Sequence, residues 1–93
     1  MVEKGIAVEF QPCMNPEVTW REYQRGVLTE TGIAMNPTAS YVFKLCDGTH
    51  SIAEITKSYQ HAYGLEPDVA DEDVVMIIRE LTEQKVLLAS QAS

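Results

Sequence analysis

Residues 36–55, with the sequence NPTASYVFKLCDGTHSIAEI, contain the signals that decide the fold. Asn36 can act as a helix N-cap and Pro37 suits the first helical position, so a helix is predicted to begin here. Because Gly48 suits the left-handed C′ position, the helix is expected to end at Asp47-Gly48. Apolar residues spaced three and four apart predict the buried face of this helix, at Ala39, Val42, Phe43 and Cys46.

Two further helices follow along the chain. Ser51 and Glu54 form a capping-box pattern, which predicts the start of the second helix, and Gly64 predicts its end. The second helix is expected to bury Ile52, Ile55 and Tyr59, together with Ala62 or Tyr63. The third is expected to open at Pro67-Asp68, to run to about Gln84 and to bury Ala70, Val74, Ile77, Ile78 and Leu81.

Three short strands are predicted before the helices, at residues 18–23, 26–29 and 33–35. Glu30-Thr31-Gly32 is expected to form a tight turn in which Gly32 adopts a positive φ. The element order predicts an α+β, winged-helix-like fold: a small three-stranded antiparallel sheet followed by a three-helix bundle. Residues 1–17 are expected to form an N-terminal arm, residues 18–88 the domain and residues 89–93 a C-terminal tail. Within the domain, Val86-Leu87-Leu88 is expected to close as a short strand or to pack as a tail.

Composition and charge limit the classes of partner and the cellular location that we expect. The chain has 93 residues, 7 basic against 14 acidic side chains and a net charge of −7, which argues against DNA, RNA or an anionic membrane as partner. It has no apolar run long enough to span a membrane, and its charged N-terminus does not resemble a signal peptide. The chain has two cysteines, Cys13 and Cys46, which are too few to stabilise a small secreted domain through disulfides. A reducing, cytoplasmic location is therefore expected.

Candidate catalytic and metal-binding groups are few. Cys46 and His50 could form a nucleophile and base, but Cys46 falls on the apolar face of the first helix, where a free cysteine acts as a small hydrophobe. Cys46, His50 and His61 lack a recognisable metal-ligand spacing. The carboxylates at residues 66–73 are expected to interact with the helix dipole, and the alternative is that this acidic end attracts a basic stretch of a partner. We therefore expect no enzyme activity, no metal and no cofactor.

The chain resembles the PqqD-like family over about residues 17–88. The resemblance rests on Val27-Leu28, Met35-Asn36-Pro37-Thr38-Ala39, the stretch from Val42 to Thr49, Ile52-Ala53-Glu54-Ile55 and Tyr63. Its most specific part is the string Cys-Asp-Gly-x-x-x-Ile-x-Glu-Ile. The segment between Leu28 and Met35 is shorter than the family usually shows. The second and third strands are therefore expected to be very short or joined by a tight turn.

This resemblance implies a winged-helix-like peptide chaperone, or RiPP precursor recognition element. Such proteins bind the leader segment of a ribosomally synthesised precursor peptide and present it to a modifying enzyme, often a radical SAM enzyme. The leader adds a strand between the third strand and the third helix. By position, the resemblance implies peptide-binding roles for Gly32, Ile33, Ala34 and Met35 on the strand, and for Val75, Ile78, Arg79 and Thr82 on the helix.

Two other functions remain open from the sequence. A winged-helix DNA-binding transcriptional regulator would share the fold class, but its recognition helix would need basic residues, and the third helix offers only Arg79 and the terminal Lys85. An enzyme that uses Cys46 or the histidines is the other alternative.

Overall fold

A computed structural model describes residues 10–88 of the chain. A three-stranded antiparallel sheet in the order β1-β2-β3 comes first, and three helices follow it. This is the predicted α+β fold, and it is compatible with the winged-helix description. The elements are β1 (Trp20–Tyr23), β2 (Gly26–Thr29), β3 (Ala34–Met35), α1 (Pro37–Leu45), α2 (Ile52–Tyr63) and α3 (Pro67–Glu83).

The local signals for the helix starts are confirmed. The side-chain Oδ1 of Asn36 accepts a hydrogen bond from the Ala39 amide at 2.9 Å, and both bonds of the Ser51–Glu54 capping box are present. Gly64 ends α2 in the left-handed conformation, at φ 62°. These contacts satisfy amide groups that a helix start leaves without intrahelical partners.

The end of α1 differs slightly from the prediction. The helix stops at Leu45 with Cys46 as its C-cap, so Asp47 takes the C′ position that was predicted for Gly48, and Gly48 (φ 86°) lies one residue further on. The cause is a long-range contact, because the Cys46 carbonyl accepts the Met14 amide at 2.8 Å and Asp47 forms a β-bridge with Cys13. The chain before the sheet thus sets where α1 can end.

One hydrophobic core joins the sheet to the helices. Trp20 on β1 packs edge-on against Phe43 of α1, with ring centroids 5.3 Å apart. The predicted burial of Ala62 or Tyr63 is wrong, since both are exposed, and Tyr63 packs instead against two other tyrosines at the surface. The core residues are Val27, Met35, Val42, Phe43, Cys46, Ile52, Ile55, Tyr59, Ala70, Val74, Ile78, Leu81, Val86 and Leu87.

The segment before β1 is hydrogen-bonded to residues 86–88. The Leu88 amide donates to the Cys13 carbonyl at 2.9 Å, the Asn15 amide donates to the Val86 carbonyl at 2.8 Å, and Pro12 is buried. The expected short closing strand appears as a single β-bridge between Leu87 and Met14. Residues 1–9 of the predicted arm and the predicted tail at 89–93 lie outside the described residues. Within residues 10–88, no helix is both long and apolar enough to cross a membrane.

Candidate functional site

The outer edge of β3 is the first part of the site. Val27 pairs with Met35 and Leu28 with Ala34, while the Thr29 amide donates to the Ile33 carbonyl at 3.0 Å. Hydrogen-bonded and non-hydrogen-bonded pairs alternate in an antiparallel ladder. The N–H and C=O of Ala34 therefore point away from β2. Ala34 is exposed, and no strand within residues 10–88 pairs with this edge.

The turn before β3 keeps this edge short. The Ile33 amide donates to the side-chain hydroxyl of Thr29 at 3.0 Å, and the Gly32 amide donates to the Thr29 carbonyl at 3.0 Å. Gly32 adopts φ 96°, as predicted. A buried threonine side chain thus replaces one ladder bond, which explains why β3 has only two residues.

The opposite edge of the sheet has more outward-facing groups. Gln24 and Arg25 form a two-residue turn with φ values of 52° and 69°. The Glu30 amide donates to the Thr19 carbonyl at 3.0 Å, so the odd-numbered residues of β1 form the hydrogen-bonded pairs with β2. Trp20 and Glu22 therefore point their backbone groups outward. Among the described residues no strand pairs with either edge of the sheet, and the β3 edge leads toward Asn36 and a cleft beside α3.

A cleft of about 250 Å³ lies between the start of α1 and α3, beside the end of β3. Ile77 and Ala39 are half-buried apolar residues in contact with the core, while Met76 is 53% exposed. The cleft is lined by Asn36, Thr38, Ala39, Tyr59, Asp73, Met76, Ile77 and Glu80. It combines an apolar floor with polar and acidic walls.

The electrostatics of the cleft are negative. Asp73 and Glu80 both line it, and its lining within the described chain includes no Lys, Arg or His. The Tyr59 hydroxyl donates to Asp73 Oδ2 at 3.2 Å. Burial raises the pKa of Tyr59, and the charge of Asp73 raises it further, so the phenol stays protonated and remains a hydrogen-bond donor.

The residues predicted on the helix side divide between two environments. Val75 and Arg79 line a separate shallow depression of about 290 Å³ with Glu72, Met76, Glu80 and Glu83. Ile78 is a core residue, only 2% exposed, and the Thr82 hydroxyl donates to its carbonyl at 2.7 Å. Ile78 therefore packs in the core and offers no free surface, whereas Thr82 is half-buried.

The sequence reasoning missed the flank of α3 that faces the end of β3. That flank carries Asp73, Ile77 and Glu80. The spacing of three and four residues indicates that they share one helical face, but it does not say which neighbour that face meets. The sequence therefore shows that these three residues share one face of α3, but not which part of the fold that face contacts.

The alternative chemistry at Cys46 has no suitable geometry. Cys46 is 0% exposed and its thiol contacts the Val42 carbonyl at 3.2 Å. Burial, followed by the charges of Asp47 and Cys13, raises the pKa of the Cys46 thiol to about 12. His50 contacts Asp47 Oδ1 at 3.2 Å instead. Since the thiolate is the reactive form, this burial disfavours nucleophilic chemistry at Cys46. Within residues 10–88, no three His, Cys, Asp or Glu side chains form a group that could hold a metal ion.

Comparison with known proteins places the chain in a family. A protein named PqqA binding protein, from Methylococcus capsulatus (strain Bath), is 31% identical over 76 residues, which cover 75% of this chain and 80% of that protein. No solved structure matches. Residues 14–87 match the family described as coenzyme PQQ synthesis protein D (PqqD), a span that includes the sheet, all three helices and the Met14–Leu87 bridge. The chain therefore belongs to the PqqD family.

Proposed function

We propose that this chain binds the leader segment of a ribosomally synthesised precursor peptide by adding the peptide as a strand to β3. The observation that carries the proposal is the exposed Ala34, whose N–H and C=O point away from β2 beside the α1–α3 cleft. Its membership of the PqqD family and the name of the Methylococcus relative support a peptide of the PqqA type as ligand.

The docked peptide would form the fourth strand of the sheet. In an antiparallel complex, a peptide residue opposite Ala34 would accept from its N–H and donate to its C=O, and in a parallel one the two flanking peptide residues would do so. Gly32, Ile33, Ala34 and Met35 form the strand side of the proposed site. Val75, Ile78, Arg79 and Thr82 form the helix side of the proposed site, and we add Ile77 and Glu80 to it because they line the cleft with Asn36.

The magnitudes indicate what determines affinity. Two backbone hydrogen bonds at Ala34 contribute about 1–3 kcal/mol in total. Each buried aliphatic anchor of the peptide adds about 1.5–3 kcal/mol. Association and ordering oppose binding by about 4 kcal/mol or more. Backbone pairing alone therefore cannot hold the peptide, and side chains that enter the α3 side of the groove must supply the remaining free energy.

The bound leader would then be presented to a modifying enzyme, often a radical SAM enzyme in this family, while this chain itself performs no chemistry. Strand addition at β3 leaves the β1 edge and the outer face of the sheet uncovered within the described chain. These surfaces are where an enzyme could contact the complex without displacing the peptide.

The test is a titration of the purified chain with synthetic PqqA peptide from Methylococcus capsulatus, followed by calorimetry and by NMR of amide shifts. We expect saturable binding, with the largest shifts at Ile33, Ala34 and Ile77. Absence of binding, or shifts confined to β1, would contradict the proposal. A mobility-shift assay in low salt tests the DNA-binding regulator. We expect no shift there, because the exposed face of α3 carries Glu72, Glu80 and Glu83.

A further inference from the structure

We propose that the α1–α3 cleft receives one basic side chain of the bound peptide, two residues along from an apolar side chain that packs beside Ile33. This inference rests on the proposed strand addition and specifies which peptide the site accepts. It follows from the shape of the cleft, its charge and the direction in which side chains leave an added strand.

The size of the cleft favours a side chain as its occupant. Its volume of about 250 Å³ lies below the range of about 300–1,000 Å³ that is usual for small-molecule sites. Half-buried Ile77 and Ala39 give it an apolar floor, and exposed Met76 forms part of its wall. A lysine or arginine side chain has an aliphatic stem that suits such a floor and a cationic head that can remain near solvent.

The charge of the cleft favours a cation. Asp73 already accepts a hydrogen bond from Tyr59, which holds its carboxylate in place. The Glu80 carboxylate makes no hydrogen bond or ion pair with another residue in the described part of the chain. With both acids at the cleft, no basic residue among its described lining and a net charge of −7, an acidic peptide side chain would be repelled.

The geometry of β3 fixes where the basic residue falls in the peptide. Met35 and Ile33 pack toward the core, whereas Ala34 between them lies on the outer face of the sheet. Residues directly opposite in paired strands place their side chains on the same face. The peptide residue opposite Ala34 therefore points outward, and its two neighbours point to the same face as Ile33 and Met35.

These neighbours meet different surroundings. The one opposite Met35 lies nearer to Asn36 and the cleft, and the one opposite Ile33 lies beside that apolar side chain. The resulting pattern is basic-x-apolar for a peptide antiparallel to β3 and apolar-x-basic for a parallel one. The order of the two residues in a bound peptide thus reports its direction.

The experiment uses the full chain and two kinds of probe. The first is the synthetic PqqA peptide from Methylococcus capsulatus, in which each basic residue is replaced in turn by norleucine, titrated against wild type, Glu80→Gln and Glu83→Gln. Glu83 lines the depression on the other flank of α3 and not the cleft, so it is the matched control. The second probe is Nα-acetyl-lysine methylamide, with the norleucine analogue as control, followed by amide shifts.

We expect Glu80→Gln to weaken peptide binding about two- to fivefold, and Glu83→Gln to leave it unchanged. Replacing one particular basic residue of the peptide should weaken its binding to wild type by a similar factor. The same replacement should hardly change the binding to Glu80→Gln. The lysine probe should shift the amide resonances of residues 77 and 80 in wild type and leave them unchanged in Glu80→Gln.

The two probes separate the possible failures. If the unmodified peptide does not bind, the proposed function is overturned, and the lysine probe still decides whether the cleft takes a cation. If the peptide binds but no basic residue couples to Glu80, or if the lysine and norleucine probes act alike, the inference about the cleft is wrong while strand addition stands.

Discussion

Replacing Ala34 with proline removes the backbone donor that a peptide would use in the proposed strand addition and leaves the pairing of β3 with β2 intact. The Ala34 N–H points away from β2, whereas Ile33 and Met35 make the contacts across the ladder. Proline is tolerated on edge strands where its missing N–H faces solvent. We therefore expect Ala34→Pro to fold, with a free energy of unfolding within about 1 kcal/mol of wild type.

The effect on binding should be much larger. The variant loses one hydrogen bond and leaves the matching peptide carbonyl without its partner, at a cost of about 1–3 kcal/mol. Because each 1.4 kcal/mol is about tenfold in Kd, we expect the Kd to rise between about fivefold and a hundredfold. Calorimetric titration with the PqqA peptide measures the change, and urea unfolding checks the fold.

The chain supplies a matched control at its other edge. Glu22 on β1 also points its N–H away from β2, so Glu22→Pro introduces the same ring and removes the same kind of donor. Its peptide affinity should equal that of wild type. If Ala34→Pro binds like wild type, or if both proline variants weaken binding equally, docking at β3 is refuted.

Four other outcomes test the structure itself. A Cβ at Gly26 would lie 2.0 Å from the Met35 carbonyl oxygen, so Gly26→Ala should lower the free energy of unfolding by about 1–3 kcal/mol in urea titration, and an unchanged midpoint would contradict the packing. Ser51→Ala removes the α2 cap and should cost about 0.5–2 kcal/mol, measured in the same way. Burial raises the pKa of Cys46 to about 12 from 9.0, so its contribution to stability is present below pH 9 and is lost as the pH rises toward 12. At neutral pH, iodoacetamide should modify half-buried Cys13 and spare Cys46, and labelling of both at equal rates would show that Cys46 is accessible.

Much of the fold could be predicted because its signals are local. Asn36, Ser51 and Gly64 each act through contacts within three or four residues, so their roles follow from the sequence around them. The strand at residues 26–29 was predicted with its observed bounds. The winged-helix-like fold class was predicted from the order of strands and helices along the chain, without knowledge of how they pack.

The remaining differences arise from contacts between distant residues. The end of α1 depends on Met14 and Cys13, which lie more than thirty residues earlier in the chain. The first strand was predicted from residue 18, and β1 begins at Trp20. Ala62 or Tyr63 was expected in the core, but both are exposed, and Tyr63 packs on Tyr41 and on the buried Tyr59, an arrangement that helical spacing cannot distinguish from burial.

The candidate site divides in the same way. The sequence placed Ala34 on the strand side of the site by resemblance, but the apolar run Ile33-Ala34-Met35 does not show which of these residues is exposed. The side of α3 that meets the end of β3 depends on how the helix is rotated against α1 and α2. Sequence periodicity identifies the buried stripe of α3 and leaves its two flanks equivalent. Only the three-dimensional arrangement brings Ile77 and Glu80, rather than Val75 and Arg79, beside Asn36.

Hydrogen exchange at the Ala34 amide tests strand addition most directly. In the free protein this N–H points to solvent and should exchange rapidly, as should the outward-facing amides of Trp20 and Glu22 on β1. Saturation with the PqqA peptide should slow exchange at Ala34 alone among these three. Rapid exchange at Ala34 in the saturated complex, or protection at β1 instead, would contradict the account.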